Sequence, residues 1–194
     1  MGEKSLQKKK YIIETAKKVF VKKGFKSVTM KDIVEACEIS RGGLYLYFNS
    51  TEELFNAVLE AEKSKVDPDI AQRLSSKPSN NDILTMFFYE QKKEILEPRS
   101  SLIIAMYEYS FYLFENKQKT LLHSQKTATE SFLCKLFREG NETKEFDVKD
   151  IEKTARHIVY ALEGLKLTAR TGQITEEEVN DEMVMLMQTV LPKQ

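Results

Sequence analysis

Only seven glycines and four prolines interrupt 194 residues. So few breakers leave little room for the frequent turns of a β-sheet protein and favour long helices. Apolar spacing agrees. Ile12, Ala16, Val19 and Phe20 recur at i, i+4, i+7 and i+8 and define a first helix, with lysines 8, 9, 10, 17, 18, 22 and 23 around it. No stretch of useful length alternates with period two, and no internal repeat or low-complexity tract is present. We therefore expect an all-α chain of about nine helices.

End signals divide the pattern further. Gly24 after "KK" closes the first helix. Thr29 with Asp32 opens a second, whose inner face is Met30, Ile33, Val34 and Cys37. Ser40 caps a short third helix over 40–47, and Ser50 with Glu53 caps a fourth. A weak helix is expected at 69–75, and longer ones at 81–96, 101–115 and 118–139, the last stopped by Gly140. Asp147 is expected to cap the next, running to Gly172. Thr175 with Glu178 opens the final helix, which Pro192 stops.

A formal net charge of zero conceals an asymmetry. Residues 1–50 carry eleven basic and five acidic side chains, and the remainder nineteen and twenty-five. A basic head on an acidic body suits a polyanionic partner, although a solvated lysine-rich surface gives the same count. Cys37 and Cys134 are far apart and read as free thiols in a reducing cytoplasm. The longest strongly apolar run, "LIIAMY", is too short for a bilayer, and the lysine-rich start lacks the apolar stretch of a signal peptide. These features give an expectation of a soluble cytoplasmic protein with no membrane partner.

The segment "SRGGLYLYF", residues 40–48, is a poor helix for stability alone. Each interior glycine costs about 1 kcal/mol relative to alanine. With Leu44 and Phe48 turned to the core, Gly42 and Leu46 fall on the opposite face and Gly43, Tyr45 and Tyr47 flank it. Glycine admits close approach to a phosphate or base edge. Tyrosine hydroxyls can donate to phosphate oxygens, leucine can pack on a thymine methyl, and Arg41 can fork onto guanine or clamp a phosphate. A second helix, a tight break and this third helix make a helix-turn-helix pattern.

The stretch "VFVKKGFKSVTMKDIVEACEISRGGLYLYFNSTEELF", residues 19–55, resembles the DNA-binding region of TetR-type transcriptional regulators. The resemblance implies an N-terminal three-helix helix-turn-helix domain over 1–50 and a larger helical effector-binding and dimerisation domain over 51–194. It implies DNA contacts from Thr29, Lys31, Ser40, Arg41, Gly42, Gly43, Tyr45, Leu46 and Tyr47. Two positions depart from the family pattern: Glu38 stands where glycine is usual in the turn, and Thr51 where a phosphate-binding lysine is usual.

A single helix-turn-helix reads few base pairs, so a homodimer on a palindromic double-stranded DNA operator is expected. Apolar stripes at Ile158, Leu162 and Leu165, and at Met183, Leu186, Met187 and Val190, are candidates for the dimer interface. Internal packing is the alternative for both. Helix 101–115 is apolar nearly all round and is expected to be central. Phe87, Met106, Tyr107, Glu108, Phe111 and Tyr112 are candidates to line a cavity for a small apolar, aromatic or cationic effector. Ordinary core packing, and a solvent-facing Glu108, are the competing readings. His123 and His157 are far apart and lack ligand-like neighbours. No nucleophile–base pair or phosphate loop is evident, so we expect neither enzyme activity, nor a cofactor, nor a metal. The expected function is a transcriptional repressor released by a small molecule. A DNA-binding regulator without such an effector is the alternative, and an all-helical enzyme is a weaker one.

Overall fold

Side-chain caps set where most of the helices begin. In the computed structural model, which describes residues 2–63, 78–97, 102–172 and 174–192, nine α-helices and no strands occur among the described residues. They are α1 (Glu3–Lys23), α2 (Met30–Cys37), α3 (Arg41–Tyr45), α4 (Thr51–Lys63), α5 (Asn80–Leu96), α6 (Ile103–Glu115), α7 (Leu121–Glu142), α8 (Ile151–Arg170) and α9 (Glu176–Gln188). The helix expected at 69–75 lies outside the described residues.

Thr29–Asp32 and Thr175–Glu178 form the expected capping boxes, and Ser79–Asp82 forms a third at the start of α5. Each box satisfies two backbone N–H groups that no preceding turn can reach. Ser50 Oγ accepts the Glu53 N–H at 3.0 Å, as expected for α4. Asp147 does not cap α8. Asp150 does, accepting the Lys153 N–H at 3.1 Å. The reason is tertiary: Val148 is buried and its backbone is paired with the Asn141 amide, so the chain cannot turn helical until after it.

Two compact units result. One holds α1–α4 and α6, and the other holds α5 and α7–α9. In the first, Ile12, Ala16 and Phe20 of α1 meet Ile33 and Cys37 of α2, Leu44 of α3, Leu54, Phe55 and Val58 of α4, and Ala105, Tyr109 and Leu113 of α6. Phe55 sits among aromatic rings, 4.7 Å from Phe20 and 5.2 Å from both Phe25 and Tyr109, centroid to centroid. Cys37 lies in this core, and burial pushes its thiol pKa up, so it is an unreactive packing group.

Helix α6 corrects the expectation that an all-apolar helix is central. It buries Ile103, Ala105, Tyr109 and Leu113 but exposes Ile104, Phe111 and Phe114, the last by 72%. Composition reported that every side of the helix is apolar. It did not report which of those sides is covered: among the described residues Ile104, Phe111 and Phe114 are left exposed.

The second unit is built around Leu84, Phe88, Phe137, Ile158, Leu162, Val179, Met183 and Leu186. Gly140 belongs inside α7 rather than beyond its end, because a Cβ there would run into the ring of Phe146. The left-handed residue after the helix is instead Lys144, with φ 62°. Replacing Gly140 with alanine is therefore expected to destabilise this unit by about 1–3 kcal/mol through overpacking, despite alanine's better helix propensity. Chemical denaturation measures it, and a neutral or stabilising result would contradict the packing role.

Candidate nucleic-acid interface

Helices α2 and α3 are joined by a turn that a glycine would ordinarily occupy. Glu38 takes the left-handed conformation there, with φ 52° and ψ 40°. Its N–H donates to Glu35 O at 3.2 Å, and the Ile39 N–H donates to Val34 O at 3.3 Å. This is the Schellman ending of a helix, with glutamate at the strained position. The Tyr11 hydroxyl reaches across from α1 to the Cys37 carbonyl at 3.4 Å. Substituting Glu38 with glycine is expected to raise stability by about 1 kcal/mol. Thermal unfolding reads the change, and a loss of stability would show that Glu38 is not strained.

The face predicted for α3 is present. Leu44 is fully buried and Phe48 nearly so, whereas Leu46 is 80% exposed. The helix is shorter than the expected 40–47, but Leu46 keeps a helical backbone, and the Tyr47 and Phe48 N–H groups both bond to Leu44 O. Ser40 Oγ accepts the Gly43 N–H at 3.1 Å, so its hydroxyl orders the start of α3. Nothing lies within 4 Å of the Cβ position of Gly42. That glycine is not required by packing inside the protein; the space beside it is open.

Arg41 is exposed, with its guanidinium carbon 5.5 Å from the Tyr45 ring centroid. Such stacking holds the side chain extended while leaving donors of the fork free. A recess of about 210 Å³ lined by Met30, Lys31, Val34, Arg41 and Tyr45 combines apolar walls with two cations. That character suits a sugar–phosphate unit. Lys31 is exposed and lies 3.7 Å from Glu35, a solvent-screened pair that yields readily to a phosphate.

Thr29 and Tyr47 are less free than sequence reasoning implied. The Thr29 hydroxyl donates to Asp32 Oδ2 at 2.7 Å and accepts the Asp32 N–H, so the capping box occupies it. The Lys23 ammonium, 2.6 Å away, and then the Thr29 donors hold the Asp32 carboxyl far below the usual aspartate range. A lowered pKa adds stability above the ordinary aspartate range, and that stability is lost as pH falls through the lowered value. The cap is therefore intact at neutral pH. Tyr47 is half-buried, and its hydroxyl lies 3.3 Å from Ser5 Oγ on α1. Spacing within the motif could not reveal this partner 42 residues away.

The candidate effector residues are divided between the two units. Phe87 belongs to the second unit, where its ring meets Phe88 and Phe132. Met106, Tyr107, Glu108, Phe111 and Tyr112 belong to the first, on α6. Glu108 accepts the Lys26 N–H at 2.8 Å and occupies the space a Cβ on Gly24 would need. Gly24 also has φ +77°, so glycine suits this position twice over. Glu108 thus clamps the chain leaving α1, a role not visible in sequence spacing.

The candidate dimer stripes are largely internal. Ile158, Leu162, Met183, Leu186 and Val190 are buried within their own unit, and Leu165 and Met187 pack partly against it. The same two helices expose a different set: Tyr160, Leu167, Val184 and Met185. Among the described residues, no helix is long and apolar enough to cross a membrane.

Comparison with known proteins bears on both parts of the chain. The family described as bacterial regulatory proteins, tetR family, matches residues 12–58, and the tetracyclin repressor-like C-terminal domain matches residues 83–180. The transcriptional regulator QacR of Staphylococcus aureus is 25% identical over 168 residues, covering 85% of this chain and 87% of that protein. YfiR of Bacillus subtilis, an HTH-type transcriptional regulator, is 59% identical over 49 residues, covering 25% of this chain and 24% of its own length. A TetR-family transcriptional regulator from Cytophaga hutchinsonii has a similar fold, with a TM-score of 0.75 at 18% identity and full coverage of both chains.

Proposed function

The chain belongs to the TetR family of helix-turn-helix transcriptional regulators, and on that premise we propose that it is a cytoplasmic repressor binding a palindromic operator as a homodimer. The observation that carries the reading is the outward face of α3. It combines an open Gly42, a bare Leu46 and a stacked Arg41, beside a recess bearing Lys31. No internal packing need accounts for that combination, whereas contact with base edges and phosphates does. In this reading Ser40 and Thr29 order the helix starts, and Tyr45 and Tyr47 turn toward phosphates.

The exposed Tyr160 and Leu167 of α8 and Val184 and Met185 of α9 support a contact with a second copy. A dimer covering an operator excludes other proteins from that DNA, which makes repression its simplest consequence. Release by a small effector would require that the ligand bind one arrangement of the two reading heads better than the other. A second reading, regulation without a small molecule, is favoured by Glu108 being engaged by Lys26 and by Phe111 being exposed. A thermal-shift screen with hydrophobic cations and fatty acyl compounds separates the two.

Selection of bound sequences from random duplex DNA tests the function itself. Two inverted half-sites, with binding that weakens steeply with salt, are the expected result. Failure to enrich any sequence would reject it.

A further inference from the structure

The opening turns of α1 lie beside α3. Besides the Ser5–Tyr47 contact, Lys8 Nζ lies 3.8 Å from the Cβ position of Gly43, and Lys9 Nζ lies 5.4 Å from the Phe48 ring centroid. Lys4 and Lys8 are exposed and one helical turn apart. Several other cations of this unit are matched: Lys17 with Glu62, Lys23 with Asp32, Lys26 with Glu115 and Lys31 with Glu35. Among the described residues, neither Lys4 nor Lys8 has a carboxylate partner, and Glu3, the one acid of these turns, pairs with neither. Like charges one turn apart repel. Here they stand next to the face that carries Gly43, with no carboxylate among the described residues paired to them.

We propose that the first turns of α1 form a second phosphate-binding edge of the DNA interface, with Lys8 contacting the backbone beside Gly43 and Lys4 one turn farther out. Ser5 positions the Tyr47 hydroxyl between the two edges. The proposal rests on the DNA-binding reading above and deepens it. It identifies the matching anion as the phosphate backbone flanking the groove that α3 enters. Contacts of this kind add affinity without reading sequence, because a phosphate is the same at every base pair. They also lengthen the footprint beyond the bases that α3 itself can reach.

The test is fluorescence anisotropy of the full chain with a duplex obtained by the selection above, over a salt series. Lys4→Gln and Lys8→Gln should each lower the salt slope by about one. Each should weaken binding by roughly tenfold at about 0.1 M salt. The loss should be the same on the selected operator and on operators with altered base pairs, and Lys8→Arg should restore binding. Unfolding midpoints should not fall, since both side chains are exposed and neutralising either relieves their mutual repulsion. If the double glutamine variant keeps the parent's affinity and slope while Gly42→Trp abolishes binding, the α1 edge is wrong and the DNA-binding reading stands. If the unsubstituted protein binds no duplex even at low salt, both are wrong.

Discussion

Gly42→Trp is expected to fold as well as the parent and to lose operator binding by about a thousandfold, the gap between specific and non-specific association. Folding survives because the Cβ position is open and tryptophan is a better helix residue than glycine. Binding fails because the indole stands off the face that must approach the bases, and every contact from Arg41 to Leu46 is lifted with it. Gly42→Ala provides the graded control, since one methyl group keeps most of the approach. Thermal unfolding and anisotropy on the same preparations read the two effects. Parent-like affinity in the tryptophan variant would remove α3 from the interface.

Phe55→Ala should have the largest effect on stability, a loss of about 3–5 kcal/mol, because it empties a fully buried aromatic site. The phenyl ring joins Phe20 of α1, Phe25 of the following loop and Tyr109 of α6. Helix α3 has five residues and is too short to hold itself. Its orientation comes from Leu44 and Phe48, which enter the same core as Phe55. Operator affinity should therefore fall along with stability, although residue 55 has no place in the interface. Urea denaturation measures the loss. A cost below about 1 kcal/mol would mean that this aromatic cluster does not organise the unit.

The elements read correctly from sequence were those governed by local chemistry. The boxes Thr29–Asp32 and Thr175–Glu178, and the caps at Ser40 and Ser50, span three residues each and need no tertiary partner. The outward face of α3 was legible for a related reason: one buried residue, Leu44, orients the whole short segment through helical geometry. What sequence left open required knowledge of the covering surface. The stripes of α8 and α9 were correctly seen as apolar, but their cover is supplied by the same unit. Gly140 resembled a helix stop because sequence shows a missing side chain and not the Phe146 ring that fills its place. Glu108 resembled a buried ligand group because its partner, the Lys26 backbone N–H, lies 82 positions away. The link between Ser5 and Tyr47 was hidden in the same way.

Glu38 shows a different limit. Sequence identified the turn and the residue out of place in it, but could not say whether the backbone would change or the glutamate would comply. The backbone keeps the left-handed turn. Two hydrogen bonds into α2 and the burial of Cys37 and Leu44 on either side outweigh a strain of about 1 kcal/mol at one residue.

The most direct test of the α3 interface is a photoreactive phenylalanine placed at Leu46, irradiated in complex with the selected duplex. The protein should cross-link to DNA within a half-site, and unlabelled duplex of the same sequence should compete the product away. If position 46 gives no cross-link while the same group at Leu167 or Val184 does, the reading face lies elsewhere on the chain.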